Sequence, residues 1–208
     1  AVLTLKNITV TTKANGANGV FSYGGSATTN NSSSDGTTIN ISDSKITTTK
    51  DNSGGIMTTG GGIMNATNLT VKTSGTSSAA IRSDRGGGTV SVDGGTYTTN
   101  GQGSPTIYST ASITVNNAKL VSNASEGIVI EGKNSITLNN VELIDTNNKL
   151  NGKSTTYKNI FLYQSMSGDA ANGISEFTSI NSKITTNNGD TIYVTNTKAT
   201  INLTNNII

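Results

Sequence analysis

The stretch from Ser104 to Leu143 contains one short phrase twice. Ile113-Thr-Val115 is followed by Asn116-Asn117, and 23 residues later Ile136-Thr-Leu138 is followed by Asn139-Asn140. Each phrase alternates apolar and polar side chains, the period of a strand with one buried face. Each then meets an Asn pair, and Asn tolerates the backbone angles that a tight turn demands. A unit this short cannot bury its apolar face alone. It must stack on copies of itself, so the repeat predicts a β-solenoid.

Three buried positions index the rest of the 208-residue chain. The first is expected at Leu5, Ile41, Met64, Val92, Val115, Leu138, Ser179 and Leu203, and the second five residues later, from Val10 to Ile208. The third usually falls ten residues further on, at Val20, Ile56, Ile81, Ile107, Ile130, Leu162 and Val194. This predicts an all-β parallel solenoid of about eight coils of three short strands, the last incomplete. Excess length falls between strands, at 24–37, 146–156 and 165–175, where it leaves the core intact. Long loops on a rigid scaffold are common places for function.

Composition tests that reading. Asn, Ser and Thr number 28, 25 and 36, a balance that also suits disorder. Disordered chains do not keep apolar residues in register, however, and here Ile, Val and Leu return regularly. The net charge of +2 is spread along the chain, with no basic block for nucleic acid. No apolar run approaches the roughly 20 residues of a membrane span. The absence of Cys excludes disulfides and thiol chemistry. The chain starts and stops inside the strand pattern, so residues 1–208 are expected to be one domain of a longer surface protein.

A turn column stands two residues past the first buried position: Asn7, Asp43, Ala66, Gly94, Asn117, Asn140, Asn181 and Asn205. Stacked amides can hydrogen-bond from coil to coil as a ladder, so its Asn and Asp members, Asn7, Asp43, Asn117, Asn140, Asn181 and Asn205, are read as structural.

The Asn-turn, three-strand coil resembles the right-handed parallel β-helix of the pectate-lyase-like superfamily. More narrowly, SPTIYSTASITV, SEGIVIEGKNSITL and NIFLYQSMSGDA resemble phrases in surface carbohydrate-binding, adhesin-like β-helix proteins of anaerobic gut-type bacteria. The first resemblance covers nearly the whole chain, the second about residues 100–200. Together they imply right-handed winding, an extracellular location on a bacterial cell surface, and binding of plant or microbial polysaccharide, often with calcium.

Catalytic constellations are sparse. There is no His, and the eight Asp and four Glu never stand as an adjacent Asp pair, so acid–base hydrolysis and Ser-His or Cys-His chemistry lack their residues. Arg82, Asp84 and Arg85 sit together as a calcium-dependent lyase would need, but such a cluster also suits a solvated turn. Asp169, Glu131 and Asp190 offer oxygen ligands for calcium, yet no D-x-D-x-D-G loop is present and no metal site is assigned. The chain is therefore read as a non-enzyme with no certain cofactor.

The outward neighbours of the third position are more informative. One column is expected to read Phe21, Met57, Arg82, Tyr108, Glu131, Tyr163 and Thr195. The next is expected to read Gly19, Gly55, Ala80, Thr106, Val129, Phe161 and Tyr193. Five of the nine aromatic residues fall in these two columns. Rings at the strand spacing of about 4.8 Å form a flat strip on which sugars stack. The expected glycan-binding residues are Arg82, Tyr108, Glu131, Phe161, Tyr163 and Tyr193. A structural stalk or filament, self-associating end to end through open strand edges, is the second reading. The calcium-dependent lyase is the third.

Overall fold

Apolar and β-branched residues at every second position make strands, and left-handed residues recur between their segments, breaking most of them and lying within β7 and β9. A computed structural model describes residues 1–25 and 34–208, so most of the expected polar loop 24–37 lies outside the described residues. Among the described residues there are twenty strands and no helix. In chain order they are β1 (Val2–Lys6), β2 (Thr9–Thr12), β3 (Val20–Tyr23), β4 (Thr38–Ser42), β5 (Lys45–Thr48), β6 (Ile56–Thr59), β7 (Gly62–Thr73), β8 (Ile81–Ser83), β9 (Gly88–Thr99) and β10 (Ile107–Ser109). The remainder are β11 (Ser112–Asn116), β12 (Lys119–Ser122), β13 (Ile128–Glu131), β14 (Ser135–Asn139), β15 (Glu142–Asp145), β16 (Lys158–Tyr163), β17 (Ile174–Ile180), β18 (Lys183–Thr186), β19 (Asp190–Thr195) and β20 (Lys198–Thr204).

The ladders between these strands are parallel, and each joins a strand to its counterpart in the next repeat. A 13-stranded sheet runs β1-β4-β7-β9-β11-β14-β17-β20, with β2, β5, β12, β15 and β18 pairing along its flank. A 7-stranded sheet runs β19-β16-β13-β10-β8-β6-β3. Each link stacks one repeat on the next, which is the pairing of a parallel β-solenoid. The inward residues form one continuous apolar core, with Ile56, Leu69, Ile107, Leu120, Ile128, Leu143 and Ile160 among those fully buried. Each such side chain contributes roughly 1.5–3 kcal/mol by leaving water.

The register corrects the expected columns in two places. Ile41 pairs with Ala66, not Met64, and Ile46 with Val71, not Leu69. The left-handed residue of that repeat is Asn68 (φ 51°), which shifts both strand segments two residues later than expected. From second to third position the step is then ten residues at Val10–Val20, Ile46–Ile56, Val71–Ile81 and Tyr97–Ile107, and eight at Leu120–Ile128. The turn before β13 is shorter: Ser122 Oγ bonds the carbonyl three residues on, whereas Thr48 and Thr73 each reach five residues on. The third column is therefore Val20, Ile56, Ile81, Ile107, Ile128, Ile160 and Ile192. Ile130, Leu162 and Val194 stand two residues further along the same strands.

The turn residues Asn7, Asp43, Asn117, Asn140, Asn181 and Asn205 all have φ between 50° and 56°. Asn140 Nδ2 donates to Asn117 Oδ1 and Asn117 Nδ2 to Asp93 Oδ1, both at 2.8 Å. A further rung joins Asn68 Nδ2 to Asp43 Oδ1 at 3.0 Å.

Candidate functional site

The corrected register rearranges the outer face of the 7-stranded sheet. Tyr108 is followed in its column by Val129, not Glu131, so the column reads Phe21, Met57, Arg82, Tyr108, Val129, Phe161 and Tyr193. Four of its seven members are aromatic. The expected outward column Gly19, Gly55, Ala80 and Thr106 turns inward instead: Ala80 and Thr106 are fully buried, and a Cβ at Gly19 would strike Ile46. Glu131, Tyr163 and Thr195 form a second, shorter outer row.

Five strands therefore bring the six expected residues onto one face: Arg82 from β8, Tyr108 from β10, Glu131 from β13, Phe161 and Tyr163 from β16, and Tyr193 from β19. The rings of Phe161 and Tyr163 stack at 4.6 Å with an interplanar angle of 8°. Tyr193 is tilted against Phe161 at 5.8 Å. At the other end of the sheet Phe21 and Tyr23 pair at 6.4 Å, remote from the loops described below.

Glu131 does not lie on the open surface. It is only 1% exposed, because the segment 164–173 between β16 and β17 folds over it. Its Oε2 accepts from Tyr108 and from Tyr163 (3.1 Å), and its Oε1 accepts from Ser165. Glu131 thus orients two phenols and anchors a loop. Burial, reinforced by Glu131, pushes both phenols above their ordinary range, so they remain donors. Asp169 in the same loop bonds Ser167 Oγ (2.8 Å) and Arg85, and these contacts hold its carboxyl below the usual range. Among the described residues, Asp169, Glu131 and Asp190 are not gathered into a group of metal-ligating side chains.

The segment 146–157 between β15 and β16 makes the opposite wall. Leu150 O accepts from Gln102 Nε2 at 2.5 Å, and Asn151 packs on Gly103, just before β10. The other loop reaches Arg85, just after β8. The two insertions therefore bracket the same face from opposite ends of its strands. Two cavities of about 330 and 380 Å³ share Asn151 and Tyr163; Asp169 and Asn151 bring both insertions to the first, whereas only the 146–157 insertion walls the second. Arg82 and Tyr108 floor the first; Phe161, Tyr163 and Tyr193 floor the second.

Sequence reasoning missed the pair beneath the second cavity. Lys158 Nζ is 3.9 Å from Glu126, and it donates to Ser154 Oγ (2.5 Å) and Thr156 O (3.1 Å). It also sits 4.5 Å from the Phe161 ring centroid and 5.2 Å from that of Tyr193. Burial draws its pKa down, opposed by Glu126 and Asp190. No sequence motif marks this pair, because Glu126 and Lys158 belong to different repeats and the insertion covers them.

No protein-family model, no curated protein and no solved structure matches the chain. No helix of the described residues is long and apolar enough to cross a membrane.

Proposed function

We propose that the chain is a non-catalytic polysaccharide-binding module of an extracellular bacterial surface protein, and that the glycan lies on the outer face of the 7-stranded sheet. The observation that supports this most is the half-buried aromatic row Tyr108, Phe161 and Tyr193, with Tyr163 beside it, on the face that two insertion loops bracket. Aromatic faces take the C–H surface of a sugar ring, and flanking polar groups bond its hydroxyls. Right-handed winding in about eight coils, as in the pectate-lyase-like superfamily, belongs to the same reading and agrees with the general handedness of parallel crossovers.

The test is retention on immobilised polysaccharide of the wild type and of Phe161→Ala/Tyr193→Ala. These rings are half-exposed and hold no buried carboxylate, so the substitution keeps the fold, which circular dichroism checks. Loss of retention with unchanged circular dichroism is the expected result. Undiminished retention removes this face as the site.

A stalk or filament role is the second reading. In it, molecules join through the parallel strand edges that already stack one repeat on the next. Open parallel edges of this kind template further strands. Particle size that grows with concentration would support it.

A further inference from the structure

We infer that the groove takes a neutral glycan and not a polyuronate. The inference rests on the glycan-binding reading above and adds the chemical class of the ligand. It comes from how the charges on this face are used. Arg82 is bound to Asp84 at 3.1 Å and Arg85 to Asp169. Lys158 lies 3.9 Å from Glu126 and spends further donors on Ser154 and Thr156. Each of these three cations already has a carboxylate partner.

What remains on the face is acidic. Glu131 lies under the phenols, and Asp190, exposed, is the register partner of Lys158. Against these two carboxylates the groove adds one further ammonium, Lys153. The residues lining the two cavities carry three cations, Arg82, Lys153 and Lys158, and three carboxylates, Asp84, Glu126 and Asp169, so the groove has no excess positive charge although the whole chain is +2. A polyuronate brings one carboxylate per sugar and needs free cations in step with it. Here, Lys153 apart, it would meet cations that are already paired and two more acids, and like charges brought together weaken association.

A neutral sugar fits the same face. Its hydroxyls are donors, and Asp84, Asp169 and the wall carbonyls are acceptors, while its C–H face stacks on Phe161 and Tyr193. From Arg82 to Tyr193 the floor crosses five strands, about 19 Å at the usual strand spacing, enough for a short run of sugars.

Further exposed lysines lie away from the groove. Lys45, Lys72 and Lys183 line the outside of the 13-stranded sheet's flank, where Lys119 is paired with Glu142 at 2.9 Å. They would attract any polyanion weakly, and salt screens such attraction. The experiment therefore measures retention on xylan, cellulose and polygalacturonate at about 0.15 M and about 0.5 M NaCl, for the wild type and Phe161→Ala/Tyr193→Ala. The expected result is retention on a neutral polymer that survives high salt and is lost in the variant. Retention on polygalacturonate should disappear at high salt and be equal in both proteins. Salt-resistant retention on polygalacturonate that the variant loses overturns the inference but leaves glycan binding on this face standing. No retention on any polymer overturns both.

Discussion

At position 145 the chain puts a carboxyl where its stacking neighbours carry hydroxyls. Thr12, Thr48, Thr73, Thr99 and Ser122 precede Asp145 in one inward column, and Thr186 follows it. Thr12, Thr48, Thr73 and Ser122 donate to a carbonyl in the next turn. An ionised Asp145 cannot donate. Burial pushes its carboxyl up to about 8, and the nearby Glu126 adds to this against a backbone bond from Asn147. Lys158, across Glu126, is the cation on that side. A carboxyl whose folded pKa lies above its unfolded one stabilises the fold fully below pH 4. That contribution is lost as pH rises toward 8, at up to about 1.4 kcal/mol per pH unit. Melting temperature should therefore fall between pH 5 and pH 8 in the wild type and stay flatter in Asp145→Thr. Parallel curves would show that Asp145 is not the titrating group. The turn residues act through backbone angle. Asn117 has φ 53°, so Asn117→Ala should cost about 1–2 kcal/mol from strain alone, and Asn117→Gly clearly less, by urea denaturation.

Strands set how far this chain can be read. The five-residue step between first and second positions is legible because an Asn, Asp or Gly marks nearly every turn. The step to the third position is not, because Gly127-Ile-Val-Ile-Glu131 offers Ile128 and Ile130 two residues apart, both pointing inward. Nothing local says which pairs with Ile107, and choosing Ile130 moves Glu131 into the place that Val129 holds. The loops show in the sequence as excess length, but their contacts do not, since Asp169–Arg85 and Gln102–Leu150 span 84 and 48 residues. Two expected outcomes belong at this scale. Tyr97 is fully buried on β9 and its hydroxyl has no partner. Tyr97→Phe should be neutral or stabilising by about 1 kcal/mol in thermal denaturation, since an unmade buried hydrogen bond is costly. Glu131→Ala removes the acceptor that holds Ser165, and Met166 at that loop is already 94% exposed. Limited proteolysis should then cut 164–173 faster than in the wild type. Equal cleavage rates would mean that Asp169–Arg85 and Gln164 hold the loop unaided.

Across the whole molecule, stacking converts a weak local pattern into a long rigid face. A single repeat places one ring or one charge, and parallel pairing lines those side chains up along the stack. The insertions at 146–157 and 164–173 then cover the middle of that face from two sides and leave Phe161 and Tyr193 half-open beside 146–157. The central claim is that a glycan binds there and nowhere else on the solenoid. The most direct measurement is aromatic NMR of Tyr- and Phe-labelled protein titrated with neutral oligosaccharide. Resonances of Phe161, Tyr163 and Tyr193 should move with saturation, while those of Tyr97 and Phe177 in the core and Phe21 and Tyr23 at the far end stay fixed. Shifts confined to Phe21 and Tyr23, or no shift at ligand concentrations that hold the protein on a column, would contradict the account.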